Sequence, residues 1–288
     1  MRARYLLCAV GIAAAASLAR AQNPPASPTS IPDIRFATGM SVVPYLEGWI
    51  KNPDGSFDFV FGYFNRNTEE ELAIAPGPDN SVTPGGPDRG QPTYFHPRRQ
   101  PRVFRVRVPK DWGDKALTWA ITANGRTEKV VSKLLPAEEI NEHMMIAGGS
   151  NTMQFGEEDL NKPPTIALAP VAAAVVGSPV PLVATVVDDG LPKPRPPAAP
   201  RPAPPPTPDS RFQSQRNNSA PRPTLGLRVN WIEYRGPAKA SFATNPVPVV
   251  DGKAVTNVRF AAPGSYTLVG VANDGRLSAR AELTVDVK

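Results

Sequence analysis

Two turns in the last third of the chain carry paired oxygen donors: Asp188-Asp189 before Gly190, and Asn273-Asp274 before Gly275. Carboxylate and amide oxygens in such a set are the hard ligands that Ca2+ takes. The same residues also suit plain turns, because Asp and Asn bond their own backbone and glycine supplies positive φ. A second candidate group is aromatic. Tyr94 and Phe95 follow a long Gly/Pro-rich stretch, and Trp112 lies in the polar run Pro109-Lys110-Asp111-Trp112-Gly113-Asp114. An exposed tryptophan stacks on a pyranose ring, although packing at the edge of a core is the commoner use of such a residue. Glu69-Glu70-Glu71 could supply a carboxylate pair for acid-base chemistry, or simply a solvated strand entry. The two histidines, His96 and His143, stand in different segments without a partner at metal-ligand spacing and read as structural or surface residues. No nucleophile elbow, phosphate loop or zinc motif is present, so no catalytic residue is assigned and Ca2+ is the one cofactor considered.

The N-terminus reads as a secretory leader over residues 1–21. Arg2 and Arg4 precede an apolar run from Tyr5 to Ser17, and Ala19-Arg20-Ala21 matches a small-x-small cleavage site, which places the mature start at Gln22. The run is too short to span a bilayer comfortably, and no later segment has the length and apolarity to do so. The expectation is an exported protein, periplasmic or extracellular, with no transmembrane segment after cleavage. Cleavage also removes Cys8, the sole cysteine, so the mature chain has neither disulfide nor thiol chemistry. The formal charge of +6 includes Arg2, Arg4 and Arg20, which leaves +3 on the mature chain and argues against a nucleic-acid partner.

The elements that must position these residues are strands. After a Pro/Ser-rich linker at 22–39, a first β-unit is expected over 40–135. Val42–Ile50 and Ser56–Phe64 flank the turn Asn52-Pro53-Asp54-Gly55, with Phe57, Phe59, Phe61 and Tyr63 on one face. A short strand Glu71–Ile74 leads into an extended loop, Pro76–Pro92. Val103–Val108 and the alternating Leu117, Trp119 and Ile121 follow, and Asn124-Gly125 turns the chain into Thr127–Leu135. Pro136–Met145 has the acidic first turn of a short helix, within a connector that runs over 136–164.

A second unit is expected over 165–288, with strands Thr165–Leu168, Val180–Val187, Leu227–Tyr234, Ala240–Phe242, Val255–Phe260, Ser265–Ala272 and Ala279–Val287. Seven strands fit an immunoglobulin-like sandwich, with Trp231 as the core tryptophan of strand C. The insertion 191–223 interrupts it with 12 prolines in 33 residues and six basic residues against the single acid Asp209. That composition predicts a disordered, polyproline-rich arm in the B–C loop. It is either a cationic arm for an anionic surface or a tolerated loop expansion. In such a sandwich the B–C and F–G loops share one end, which would bring Asp188 and Asp189 toward Asn273 and Asp274.

Two resemblances add to this reading. Gly62-Tyr63-Phe64-Asn65-Arg66-Asn67, Gly77-Pro78-Asp79-Asn80 and Pro84 through Thr93, with the Phe104-x-Val106 and Leu117-x-Trp119 strands, resemble a β-module of bacterial surface and exported proteins. The run departs from it at His96-Pro97-Arg98-Arg99, where a glycine-containing turn is expected. Asp188-Asp189-Gly190-Leu191-Pro192, the run Gly236 to Phe242, Ala262 to Leu268, and Ala272 to Ala279 resemble PKD-like and related immunoglobulin-like domains of exported bacterial proteins. That family implies adhesion, spacing or substrate presentation. The expectation is therefore a mainly β protein of two antiparallel β-sandwich domains, the second immunoglobulin-like with a long disordered insertion. Its expected role is non-enzymatic binding or spacing in the bacterial envelope, with an envelope glycan or protein as partner. A carbohydrate-binding accessory protein and an enzyme using a carboxylate site in the first unit are the alternatives.

Overall fold

A computed structural model describes residues 36–141, 161–192 and 226–288. The leader, most of the first linker, His143 and nearly all of the Pro/Arg-rich insertion lie outside the described residues. Apart from one 3-10 turn at Pro136–Glu138, the regular structure described is strand.

The first sandwich contains β1 (Val42–Lys51), β2 (Phe57–Asn65), β3 (Leu72–Ala73), β4 (Asn80–Thr83), β5 (Tyr94–Phe95), β6 (Arg98–Val108), β7 (Leu117–Ala123) and β8 (Arg126–Ser132). Sheets β1-β2-β6 and β4-β7-β8 enclose the core, and β3-β5 forms a small third sheet. The alternation in β2 sends Phe59, Phe61 and Tyr63 into that core. There Phe61 stacks on Phe104 at 5.3 Å between ring centres, and Trp119 meets Phe104 edge-on at 4.7 Å. The opposite face of β2 is not solvent either. Asp58 is buried and accepts a bidentate pair from Arg107 at 2.8 and 3.1 Å. Arg98, at the predicted glycine-like turn, has φ +69° and lays its guanidinium over Phe64 at 5.5 Å.

Two expectations here are corrected. Pro76–Pro92 is not all loop, because Asn80–Thr83 pairs with β7 in the register Asn80↔Ile121 to Thr83↔Thr118. The helix expected from Pro136 stops after one turn. Glu139 is extended, and the Ile140 amide donates to Trp49 O at 2.9 Å. The neighbouring strand edge wins because Trp49 Nε1 already holds Leu135 O at 2.8 Å, and Gly48, at φ +146°, leaves room for Ile140. Residues 142–145 of that expected helix lie outside the described residues.

The second sandwich contains β9 (Thr165–Leu168), β10 (Val180–Val187), β11 (Arg228–Arg235), β12 (Ala240–Phe242), β13 (Val247–Pro248), β14 (Lys253–Phe260), β15 (Gly264–Asn273) and β16 (Ser278–Val287). Its sheets are β12-β14-β10-β9 and β13-β11-β15-β16. In immunoglobulin letters the sheets are D-E-B-A and C-F-G, with β13 an added edge strand beside C that follows D along the chain. Strand β13 is one more than the seven expected. Trp231, on β11, is buried in the core with Leu182, Phe260 and Leu268.

Candidate functional site

The corner that follows β11 grips the first sandwich. Tyr234 O accepts from the Thr93 amide at 3.2 Å, and the Gly236 amide donates to Thr93 Oγ1 at 3.1 Å. The Tyr234 hydroxyl donates to Gly90 O. Arg235 forks onto Asp88 at 2.7 and 2.9 Å and reaches Gln91 O at 2.8 Å. Asp88 is thereby held below the usual aspartate range. Lys239 spans to Glu71 at 2.9 Å, and Tyr94 donates to the same carboxylate at 2.7 Å. Burial works against the Glu71 charge, but these two partners keep its acidity stronger than usual. His96 Nε2 lies 2.8 Å from Glu233 O and donates its proton to that carbonyl. Burial holds its affinity for a proton below that of an ordinary histidine.

Apolar contact backs these bonds. Tyr234 and Val269 are buried with the first sandwich's aromatic core, and Ile232 and Val271 pack against it. These four residues lie on the outer face of the β11-β15 pair, so one sheet of the second sandwich serves two cores. Beside them runs a groove of about 870 Å³, with Arg102, Val103 and Arg105 on one wall and Thr267, Arg280 and Glu282 on the other. Arg280 crosses it to donate to Val103 O at 3.0 Å.

Glu233 is the least ordinary group at the junction. Only 1 % of the residue is exposed. One carboxyl oxygen accepts from the Ala240 amide at 2.6 Å, and the other is occluded without a hydrogen-bond partner. Burial pushes its pKa up to about 8, with the Glu71 charge adding to the shift and the Ala240 amide and Lys239 opposing it. Glu233 is therefore mostly a neutral acid at pH 7. No motif marks it in the sequence, where its one signal is a place two residues after Trp231, on the same inward face of the strand.

The aromatic residues predicted as a sugar surface are packed away. Phe95 is fully buried, Tyr94 is buried with its hydroxyl on Glu71, and Trp112 donates Nε1 to Lys115 O at 2.8 Å while its ring meets Phe59. A ring whose faces are covered by its own protein offers no platform to a pyranose. Glu71, from the predicted carboxylate run, is drawn into the junction, while Glu70 accepts from the Gly39 amide and Asn124.

The predicted oxygen cluster divides in two. Asp189 accepts from the Lys162 and Leu191 amides, both at 2.9 Å, and Asn273 accepts from the Gly275 amide at 2.8 Å. Both are spent on backbone amides, and so in part are Asp188, whose Oδ2 holds the Gly190 amide, and Asp274, whose Oδ1 holds the Arg276 and Leu277 amides. Asp188 and Asp274 do approach one another. Burial raises the Asp188 pKa above the ordinary aspartate value, the Gly190 amide opposes the rise, and the Asp274 and Asp189 charges add to it. A residue the sequence reading missed joins them. Asn161 donates to Asp274 Oδ2 at 3.1 Å, and Asn161 Oδ1 and Asp188 Oδ1 are both occluded without a hydrogen-bond partner. Among the described residues no three His, Cys, Asp or Glu side chains converge as a metal site.

The fold and the junction define a protein of two interlocked β-sandwiches, the second immunoglobulin-like. No family model and no curated protein matches the chain. Similar solved structures include the D00-D0 domain of intimin, at TM-score 0.27 and 10 % identity over 86 % of this chain and 100 % of that one. Another is a conjugative transposon lipoprotein from Bacteroides eggerthii DSM 20697, at TM-score 0.26 and 11 % identity over 43 % of this chain and 98 % of that one. Domains 4 and 5 of the S-layer protein SbsC match at TM-score 0.26 and 11 % identity over 60 % of this chain and 65 % of theirs. Superpositions this loose carry no functional argument, and the immunoglobulin-like assignment stands on the sheet order. No helix among the described residues is long and apolar enough to cross a membrane.

Proposed function

We propose that the protein is an exported, non-enzymatic spacer of the bacterial envelope whose two sandwiches act as one rigid unit, holding a partner-binding end at a set distance. The leader-like N-terminus supports export. The observation that carries the spacer reading is the corner from Glu233 to Lys239, which joins the sandwiches through Asp88, Thr93, His96 and Glu71 over a shared apolar seam. Domains that touch through polar linkers alone are expected to move relative to one another, whereas a seam with buried aromatics resists that. Small-angle scattering of the protein should fit a single rigid arrangement of the sandwiches. In an Arg235→Ala, Lys239→Ala double variant the fit should require a range of arrangements. A wild-type curve that itself requires freely jointed sandwiches would sink the reading.

A second reading concerns the far end of the second sandwich, where Asn161 Oδ1 and Asp188 Oδ1 are occluded without partners beside Asp274, whose Oδ1 holds the Arg276 and Leu277 amides and whose Oδ2 holds the Asn161 side-chain amide. Two occluded oxygen acceptors without donors are what a bound cation would satisfy, and both are hard ligands of the kind Ca2+ takes. Titration calorimetry with CaCl2 should show binding that Asp188→Asn weakens at least tenfold. No heat, with no rise in melting temperature, would remove the ion from the account.

A further inference from the structure

The occluded carboxyl of Glu233 sits inside the corner that grips the first sandwich, and this placement gives it a role beyond packing. One oxygen ties the end of β11 to the Ala240 amide at 2.6 Å, so it closes the loop that presents Tyr234, Arg235, Gly236 and Lys239 to the first sandwich. The other oxygen has no donor, and the space beside it is full. A Cβ on Gly236 would lie 2.5 Å from Glu233 Oε1 and 2.5 Å from Tyr266 Cδ1. A neutral acid fits this pocket. A carboxylate would leave a bare charge there, close enough to the Glu71 charge to be repelled by it.

We propose that the corner Glu233–Ala240 is a pH-sensitive clasp: protonated Glu233 braces it closed on the first sandwich, and ionisation swings the side chain out and loosens the junction. The proposal rests on the rigid junction of the spacer reading and adds the condition under which that junction yields. The groups that face Glu233 are Glu71 and Tyr94 from the first sandwich and Lys239 and Tyr266 from the second, while His96 binds its carbonyl. Glu71 keeps its charge throughout the neutral range because its acidity is strengthened, and the tyrosines are pushed above their ordinary value of 10.

The sign follows from linkage. Glu233 holds its proton to about pH 8 when the clasp is closed, against an ordinary value of 4.5 when open, so closure weakens as pH rises from 4.5 to about 8. His96 runs the other way: its closed value lies below 6.5, so closure through His96 weakens as pH falls below 6.5. The two slopes oppose one another around and below pH 6.5, and toward pH 8 the Glu233 slope dominates.

Hydrogen exchange of the Thr93 amide, which bonds across the junction to Tyr234 O, reads the opening directly. After correction for base-catalysed exchange, its opening constant should rise about tenfold between pH 6.5 and 8.0, while the Trp119 amide inside the first sandwich stays level. In Glu233→Gln the profile should be flat. In Glu71→Gln, which removes the neighbouring charge and frees Lys239, the rise should be smaller; this variant serves where Glu233→Gln does not fold. A flat wild-type profile over a junction that is closed at pH 6.5 overturns the clasp and leaves the spacer intact. A rise that persists in Glu233→Gln also overturns it. Sandwiches already freely jointed at pH 6.5 overturn the spacer reading instead.

Discussion

At the scale of single residues, the polar positions of the first sandwich's motif work as staples. Asn80 is fully buried and bonds three groups at once: Ile74 O at 3.0 Å, Pro92 O at 2.8 Å and Trp119 Nε1 at 3.0 Å. Gln91 bonds Asn80 O and Pro87 O, and Asn65 bonds Glu70 O and Phe95 O. Each side chain replaces a backbone partner that the irregular chain cannot supply, because a buried carbonyl without a donor is costly. Asn80→Ala should therefore destabilise the protein by about 3 kcal/mol, since it orphans several buried groups at ~1–3 kcal/mol each. Urea unfolding followed by tryptophan fluorescence checks this, and a loss below about 1 kcal/mol would mean that water replaces the amide. The sequence displayed these residues as a recognisable run, but their type alone did not distinguish a loop staple from a ligand-binding amide.

At the scale of elements, strands were legible where alternation was strong and flanking signals agreed. Thr165–Leu168, Val180–Val187 and Ala240–Phe242 have the same bounds in sequence and structure. Val247–Pro248 and Asn80–Thr83 were not legible, because each is short and set among proline, glycine and asparagine. Their pairing comes from the long strands beside them, with Val247 facing Val229 and Asn80 facing Ile121. The predicted helix at Pro136 failed for a related reason. Local propensity favoured it, but a tertiary partner, the edge of β1, took the Ile140 amide. Gly48 makes that docking possible. A Cβ there would lie 2.7 Å from both Glu138 O and Ile140 Cγ2, at a φ that disfavours any side chain. Gly48→Ala should cost about 1–3 kcal/mol and undock Ile140, seen as faster exchange of its amide. Unchanged protection of Ile140 would show that the segment stays docked on β1 without the glycine.

At the scale of the whole molecule, the sandwiches share apolar surface and interlock through charges that are separated by long stretches of sequence. Arg235 finds Asp88, Lys239 finds Glu71 and Arg280 finds Val103 O. The rigidity proposed for the spacer and the pH dependence proposed for the clasp both belong to this scale, since no single sandwich contains either. The sequence by itself determined the mainly β class, seven of the eight strands of the second half and the placement of Trp231 on one of them. Those follow from local periodicity and turn chemistry, which each segment carries within itself. The tertiary structure decided the rest. It buried Tyr94, Phe95 and Trp112 rather than exposing them, spent Asp189 and Asn273 on backbone amides, and set Asn161 beside Asp274. It also made Glu233 a neutral acid at a junction. The reason is physical: burial and charge coupling depend on which distant surfaces meet, and strand alternation is the same whether the covered face meets its own sandwich or the next one.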